Sequence, residues 1–155
     1  MENSNHFNVI VIGAGISGIG AGYYLKKNCP NKSFCIIEGR ENIGGTWDLF
    51  KYPGIRSDSD MFTLGYAFKP WKEQKTIANG PSILSYLEET VEENNLREKI
   101  KFSHKVLSAN WNSAERNWEV RAAHHEQEIL LTANFLFMGT GYYNYDEGYT
   151  PEFDD

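Results

Sequence analysis

Cysteine is scarce in this chain: Cys29 and Cys35 are the only two in 155 residues. Two thiols cannot build a disulfide framework, and reduced side chains are the default reading. Positive charge is short as well. Fifteen Lys and Arg against 21 Asp and Glu leave a formal net charge of −6, which excludes the basic footprint of a nucleic-acid partner. The leader Met1–His6 has no Lys or Arg, and five glycines interrupt the apolar stretch from Phe7 to Leu25. Neither a secretory signal peptide nor a transmembrane segment is read there, and a cytoplasmic protein is expected. Internal repeats and low-complexity tracts are missing too. One domain covering 1–155 is expected, within the usual span of about 100–200 residues.

What the chain does have is organised glycine. An apolar run, Phe7 to Ile12, leads into Gly13-Ala14-Gly15-Ile16-Ser17-Gly18, followed by a helical stretch from Ile16 to Asn28 that Pro30 stops. A second apolar run, Phe34 to Ile37, ends in Glu38, 20 positions after Gly18. A lone G-x-G-x-x-G is weak, but one set between strand and helix with an acid at this distance specifies a dinucleotide site. Gly13 permits the sharp turn, Gly15 lets main chain approach a pyrophosphate, and Gly18 lets the helix pack closely on the sheet. Gly22 would extend that packing. The helix start offers unpaired N–H groups and a positive dipole end to the phosphates, and Ser17 can add a donor. Glu38 can accept hydrogen bonds from ribose hydroxyls and repel a 2′-phosphate, which favours FAD or NAD over NADP here. The bland alternative is a turn that merely packs a helix on a strand.

The remainder reads as a βαβ unit with additions. Gly39 to roughly Lys75 is a long connection whose aromatic content argues against disorder. Pro81 marks a helix start, Ile83, Leu84, Leu87 and Val91 recur at helical spacing, and the acidic run Glu88, Glu89, Glu92, Glu93 falls on a solvated face. Three strand-like runs follow, Ile100–Trp111, Asn117–Ala123 and Glu128–Met138, with a turn at Ser113–Asn117, so an antiparallel meander is expected. Its last part, Ala133 to Met138, is apolar and suits a buried strand returning to the main sheet. Gly139-Thr140-Gly141 then supplies a second close-approach turn. The fold expected is α/β: a Rossmann-like FAD/NAD(P)-binding fold with a parallel sheet plus a small antiparallel β-meander.

A second informative stretch runs from Gly44-Gly45-Thr46-Trp47-Asp48-Leu49 through Tyr52-Pro53-Gly54-Ile55-Arg56-Ser57-Asp58. Paired glycines allow main chain to lie against a flat ring, and Trp47 can cover its apolar face. Read from the residues alone, Trp47 and Tyr52 could equally be core aromatics, and Arg56 and Asp58 a surface pair. The stretch resembles the class B flavoprotein monooxygenases, and within them the Baeyer–Villiger monooxygenases of the ethionamide-activating branch. The similarity runs from about Asn8 to Phe153. It implies that Ser17, Glu38, Thr46, Trp47, Asp48, Leu49 and Asp58 contact FAD, alongside Gly13, Gly15, Gly18 and Gly45. It further implies that Arg56, Ser57 and Asp58 lie near NADP(H), with Asp58 in a supporting catalytic role. Val106 matches a position where the family's backbone meets adenine.

Other chemistries fit poorly. Disulfide reductases carry Cys-x4-Cys after a Gly-Gly-Thr turn, whereas Trp47 follows Thr46 here and both cysteines precede the turn. Neither cysteine has a neighbouring partner that would make it catalytic. His124 and His125, adjacent on a strand, would face opposite ways and make a poor metal pair; no metal is expected. The resemblance implies oxygen insertion into a ketone through a peroxyflavin, with hydride supplied by NADPH. A second G-x-G-x-x-G and the family's F-x-G-x-x-x-H-x-x-x-W motif are not found in these residues. The chain is therefore expected to be the N-terminal FAD portion of a longer monooxygenase acting on a small molecule, either a ketone or an S- or N-containing compound. A non-enzymatic FAD-binding module and an N- or S-oxidising enzyme are the alternatives.

Overall fold

The computed structural model describes residues 5–143 and 147–153; residues 1–4 of the leader, and Asn144, lie outside the described residues. Six strands form one mixed sheet in the order β3-β2-β1-β6-β5-β4. The strand β1 (His6–Ile12) is central, and β2 (Phe34–Ile37) lies parallel to it with Val9 opposite Phe34 and Ile12 opposite Ile37. Between them runs α1 (Ile16–Asn28), whose start and end coincide with the sequence reading. The strand β6 (Gln127–Met138) flanks β1 on the other side, also parallel, with Val9 opposite Phe135.

Alternation along β1 builds two cores. Val11 points to the helical layer, where it meets Ile19 of α1, Ile36, and Leu87 and Val91 of α4 (Gly80–Glu93). Ile10 and Ile12 point to the opposite face with Cys35 and Ile37, against Val120 and Leu131 of the meander. Each such fully buried aliphatic side chain stabilises the fold by about 1.5–3 kcal/mol. The domain is thus three layers: helices, parallel strands and a covering meander.

Local sequence explains the helices. Asn79 caps α4, its side chain accepting from Ser82 N at 2.8 Å, and Pro81 fits the first turn. The acidic residues of α4 lie on its solvated side, Glu88 and Glu92 paired with Arg97, Glu89 and Glu93 with Lys69. Close packing of α1 on β2 depends on Gly22, where a β-carbon would come within 2.8 Å of Ile36 Cδ1.

The long connection is ordered, in line with its aromatic content. It contains two one-turn helices, α2 (Thr46–Leu49) and α3 (Met61–Leu64). Tyr66 fastens it to α1 by donating to Ile16 O at 2.5 Å, and Tyr86 of α4 accepts from Tyr66 N at 2.7 Å.

Two expectations are corrected. The run Ile100–Trp111 is not one strand: β3 (Ile100–Lys101) pairs with β2, and after a break at Phe102 and Ser103 the chain re-enters as β4 (His104–Asn112). Ser103 has a positive φ of 57°, which turns the chain from one edge of the sheet into the meander. The segment Ala133 to Met138 returns to the main sheet but is not buried throughout. Ala133 is buried, whereas Phe135, Phe137 and Met138 are 69%, 44% and 61% exposed. The reason lies in the ladder. β5 (Asn117–His124) pairs with β6 only as far as Trp118 opposite Ala133, so beyond it, among the described residues, β6 keeps β1 as its one neighbour.

Candidate dinucleotide site

Three chain reversals converge at the carboxyl ends of the parallel strands: Gly13–Gly15 after β1, Glu38–Arg40 after β2 and Gly139–Gly141 after β6. Together with Gly44–Trp47 and the β4 segment 104–109 they enclose a cavity of about 840 Å³. This is where open α/β sheets bind ligands.

Bare backbone shapes the centre of the cavity. Gly13 adopts φ +97°, and a β-carbon there would stand 2.5 Å from Gly139 O. A β-carbon at Gly18 would overlap the carbonyl oxygen of Gly13 outright. Gly18 therefore serves the turn itself more directly than the helix–sheet contact expected of it, which falls to Gly22. Gly15 and Gly45 pack main chain to main chain, so the phosphate turn and the Gly-Gly loop are held as one surface. Gly15 is also the N-cap of α1, with no side-chain cap and no acid in the first turn. Its first N–H groups are left for an anion.

Glu38 is a buried carboxylate, 7% exposed. Its Oε2 accepts from Ala14 N at 2.8 Å and its Oε1 from Arg40 N at 3.0 Å. Its own backbone is bonded to the end of β3 and the start of β4, with Glu38 N donating to Lys101 O and Glu38 O accepting from His104 N. Each carboxylate oxygen keeps acceptor capacity toward the cavity.

Of the residues singled out from sequence, Gly13, Gly15, Ser17, Glu38, Gly45, Thr46, Trp47, Leu49 and Val106 line the cavity. Gly18, Asp48, Arg56, Ser57 and Asp58 do not. Gly18 sits behind the turn, and Asp48 pairs with Arg40 and Lys51. Ser57 is buried, exchanging hydrogen bonds with Ala78 through its backbone N–H and its hydroxyl, while Arg56 and Asp58 are exposed. Val106 stands at a register shift between Val106 and Ser108, a bulge that leaves Leu107 without a ladder partner and half-exposed in the cavity wall. Arg40, His104 and Leu107 are wall residues that the sequence did not mark. Only their nearness to Glu38 and Val106 could have drawn attention to them.

His104 also corrects the histidine reading. His124 and His125 do not face opposite ways: His125 has φ +54°, and their rings lie 4.3 Å apart. His124 in turn stacks on His104 at 4.1 Å. Among the described residues no group of three or more His, Cys, Asp or Glu side chains is placed to hold a metal ion. Burial, then the nearby His124, Lys101 and His125, press the His104 pKa below its usual value, against the hydrogen bond to Phe102 O that raises it. The unfolded chain then binds more protons than the folded one between the depressed pKa and about 6.5, so stability falls as pH drops through that window. Denaturant unfolding from pH 7.5 to 5 should show this fall, and His104→Gln should flatten it. Cys35 is inert by contrast: burial, only partly offset by Lys101, pushes its thiol up to about 12.

A Rossmann-like dinucleotide-binding domain is the class that this fold and cavity define, and a family model described as an NAD(P)-binding Rossmann-like domain matches residues 11–73. The chain is 54% identical over 150 residues to an FAD-containing monooxygenase, EthA, of Mycolicibacterium smegmatis, covering 97% of this chain and 30% of that protein. Its fold superposes on an oxidised steroid monooxygenase bound to NADP with a TM-score of 0.82 at 29% identity, covering 96% of this chain and 28% of that one. It superposes on cyclohexanone monooxygenase with a TM-score of 0.80, also at 29% identity, covering 89% and 27%. Over nearly its whole length the chain is similar to FAD-containing monooxygenases, and it spans about 30% of the length of the curated relatives it matches. No helix among the described residues is long and apolar enough to cross a membrane.

Proposed function

We propose that this chain forms the FAD-binding part of a flavin monooxygenase that draws on NADPH and O2 and oxidises a small molecule, with Baeyer–Villiger conversion of a ketone to an ester the favoured reaction. One observation carries the reading: a single cavity runs from the buried acid Glu38, past the uncapped start of α1, to the Gly45–Trp47 loop. A dinucleotide needs each of these in that order. The residues fit FAD. Glu38 would hold the ribose hydroxyls, Gly13, Gly15 and Ser17 the pyrophosphate, Val106 the adenine, and Thr46, Trp47 and Leu49 the flavin. Bound FAD would supply electron transfer and oxygen activation; this chain's residues orient it and exclude water from its adenosine end. Asp48 would act through the loop it anchors.

Arg56, Ser57 and Asp58 are the candidates for nicotinamide-cofactor contact. Tyr143 stands in the cavity wall, its phenol pKa raised first by its hydrogen bond with Tyr142 and then by the charge of Tyr142, with Asp58 among the weaker causes. A cytoplasmic setting agrees with two free thiols.

Titration with FAD and FMN, followed by flavin fluorescence, tests the reading. FAD should bind at least about tenfold more tightly than FMN, because Glu38 and the phosphate turn grip groups that FMN lacks. Equal affinity for the two would overturn the assignment of Glu38 to a ribose.

A further inference from the structure

We propose that Arg40 is a positioning residue that couples the ribose-binding acid to the flavin-side loop, so that one guanidinium fixes the spacing between the two ends of a bound FAD. The proposal rests on the FAD reading above. Three acceptors converge on the Arg40 head. Nη2 donates to Gly45 O at 2.9 Å, Nη1 lies 3.3 Å from Asp48 Oδ2, and Nε lies 3.7 Å from Glu38 Oε1. The backbone of the same residue is pinned as well: Arg40 N donates to Glu38 Oε1, and Arg40 O accepts from Ser103 N. Arg40 therefore touches the acid, the Gly-Gly loop, α2 and the β3–β4 break at once.

The loop needs such a tie. Gly44 and Gly45 both have positive φ, +112° and +54°, and offer no side chain to pack. Gly44 O accepts from Trp47 N, and Gly45 O from Asp48 N and Leu49 N, which join the pair to α2. Among the described residues, two polar contacts tie it beyond that helix: Gly44 N donates to Ala14 O at 3.0 Å, and Gly45 O accepts from Arg40. The planar guanidinium can serve a carbonyl and two carboxylates together, which an ammonium cannot match. Without the Arg40 side chain, Glu38 would keep its bonds from Ala14 N and Arg40 N. The adenosine end would persist, while Gly45 and Asp48 would lose their common partner.

The expected signature is a split between whole cofactor and fragment. Arg40→Gln should weaken FAD binding about tenfold while changing the affinity for ADP less than about twofold. Arg40→Lys should recover only part of the loss. Lys51→Gln removes the other cation beside Asp48 without touching Gly45, and should leave FAD affinity unchanged. The visible circular dichroism of the bound flavin should change in Arg40→Gln and not in Lys51→Gln. Parallel losses for FAD and ADP would reduce Arg40 to a support of the fold, and unchanged FAD affinity would remove it from the site; either result overturns the proposal. Wild-type protein that binds ADP but no FAD would instead defeat the cofactor reading. Amide hydrogen exchange at residues 44–49 then still decides whether Arg40 holds the loop, since Arg40→Gln should exchange faster and equal rates would overturn it.

Discussion

Glu38→Gln should weaken FAD binding by tenfold or more and also destabilise the protein without ligand, although the change removes a single charge and no volume. Both carboxylate oxygens already serve main-chain donors, Oε2 the buried Ala14 N and Oε1 the partly buried Arg40 N. A glutamine offers one acceptor oxygen, so its amide NH2 must meet one of those two N–H groups. Leaving one buried donor unpaired costs about 1–3 kcal/mol. The charge-assisted bonds that Glu38 is proposed to make to a ribose would be worth about 1.5–3 kcal/mol more in binding. Glu38→Ala should show the same binding loss and strand both donors. Urea unfolding without FAD, paired with FAD titration, separates the two effects. Lowered stability with unchanged FAD affinity would show that Glu38 serves the fold alone and that the ribose lies elsewhere.

The second large effect is expected at Gly18. A β-carbon there would occupy the space of Gly13 O, a main-chain atom fixed by the ladder on both sides of the turn, since Gly13 N donates to Ile37 O and Gly139 N to Ile12 O. Relief would have to come from backbone movement at the centre of the sheet. Gly18→Ala should therefore lower stability by about 3 kcal/mol or more, with loss of soluble expression a plausible readout of the larger Gly18→Val. Gly22→Ala is the matched control. Its added methyl meets Ile36 Cδ1, the far end of a flexible side chain, and the penalty should stay near 1–1.5 kcal/mol. Thermal melts of the two alanine variants check the contrast. Equal losses at both positions would mean that the turn can shift to accept a side chain.

Much of this was legible because local pattern and global role coincide. The helix Ile16–Asn28 and the strand Phe34–Ile37 emerge with those bounds because glycine spacing, apolar runs and Pro30 each point the same way. The parts that were not legible depend on contacts distant in the chain. Nothing in Phe102-Ser103 signals a break, since serine takes a positive φ only because β3 is captured by β2 while β4 is captured by β5. The exposure of Phe135 and Phe137 could not be read from an apolar run, which says what a residue prefers and not whether a neighbour is present. In the candidate site, glycines and Glu38 were readable from their spacing. Arg40 was not: Glu38, Gly45 and Asp48 all lie within eight residues of it, but only the folded Gly-Gly loop turns Gly45 and Asp48 back onto its side chain.

The placement of β6 has a kinetic consequence. His6 pairs with Thr132 and Ile12 with Met138, so the central strand acquires its second neighbour only when residues 127–138 have arrived. Until then β1 is an edge, with its Phe7–Ile12 run open to pairing with other copies. Closing a loop of this length comes late, after the entropy of more than a hundred residues has been restricted. Folding of this sheet should accordingly be governed by the arrival of β6, and the interval before that arrival is when the nascent chain is most exposed to aggregation.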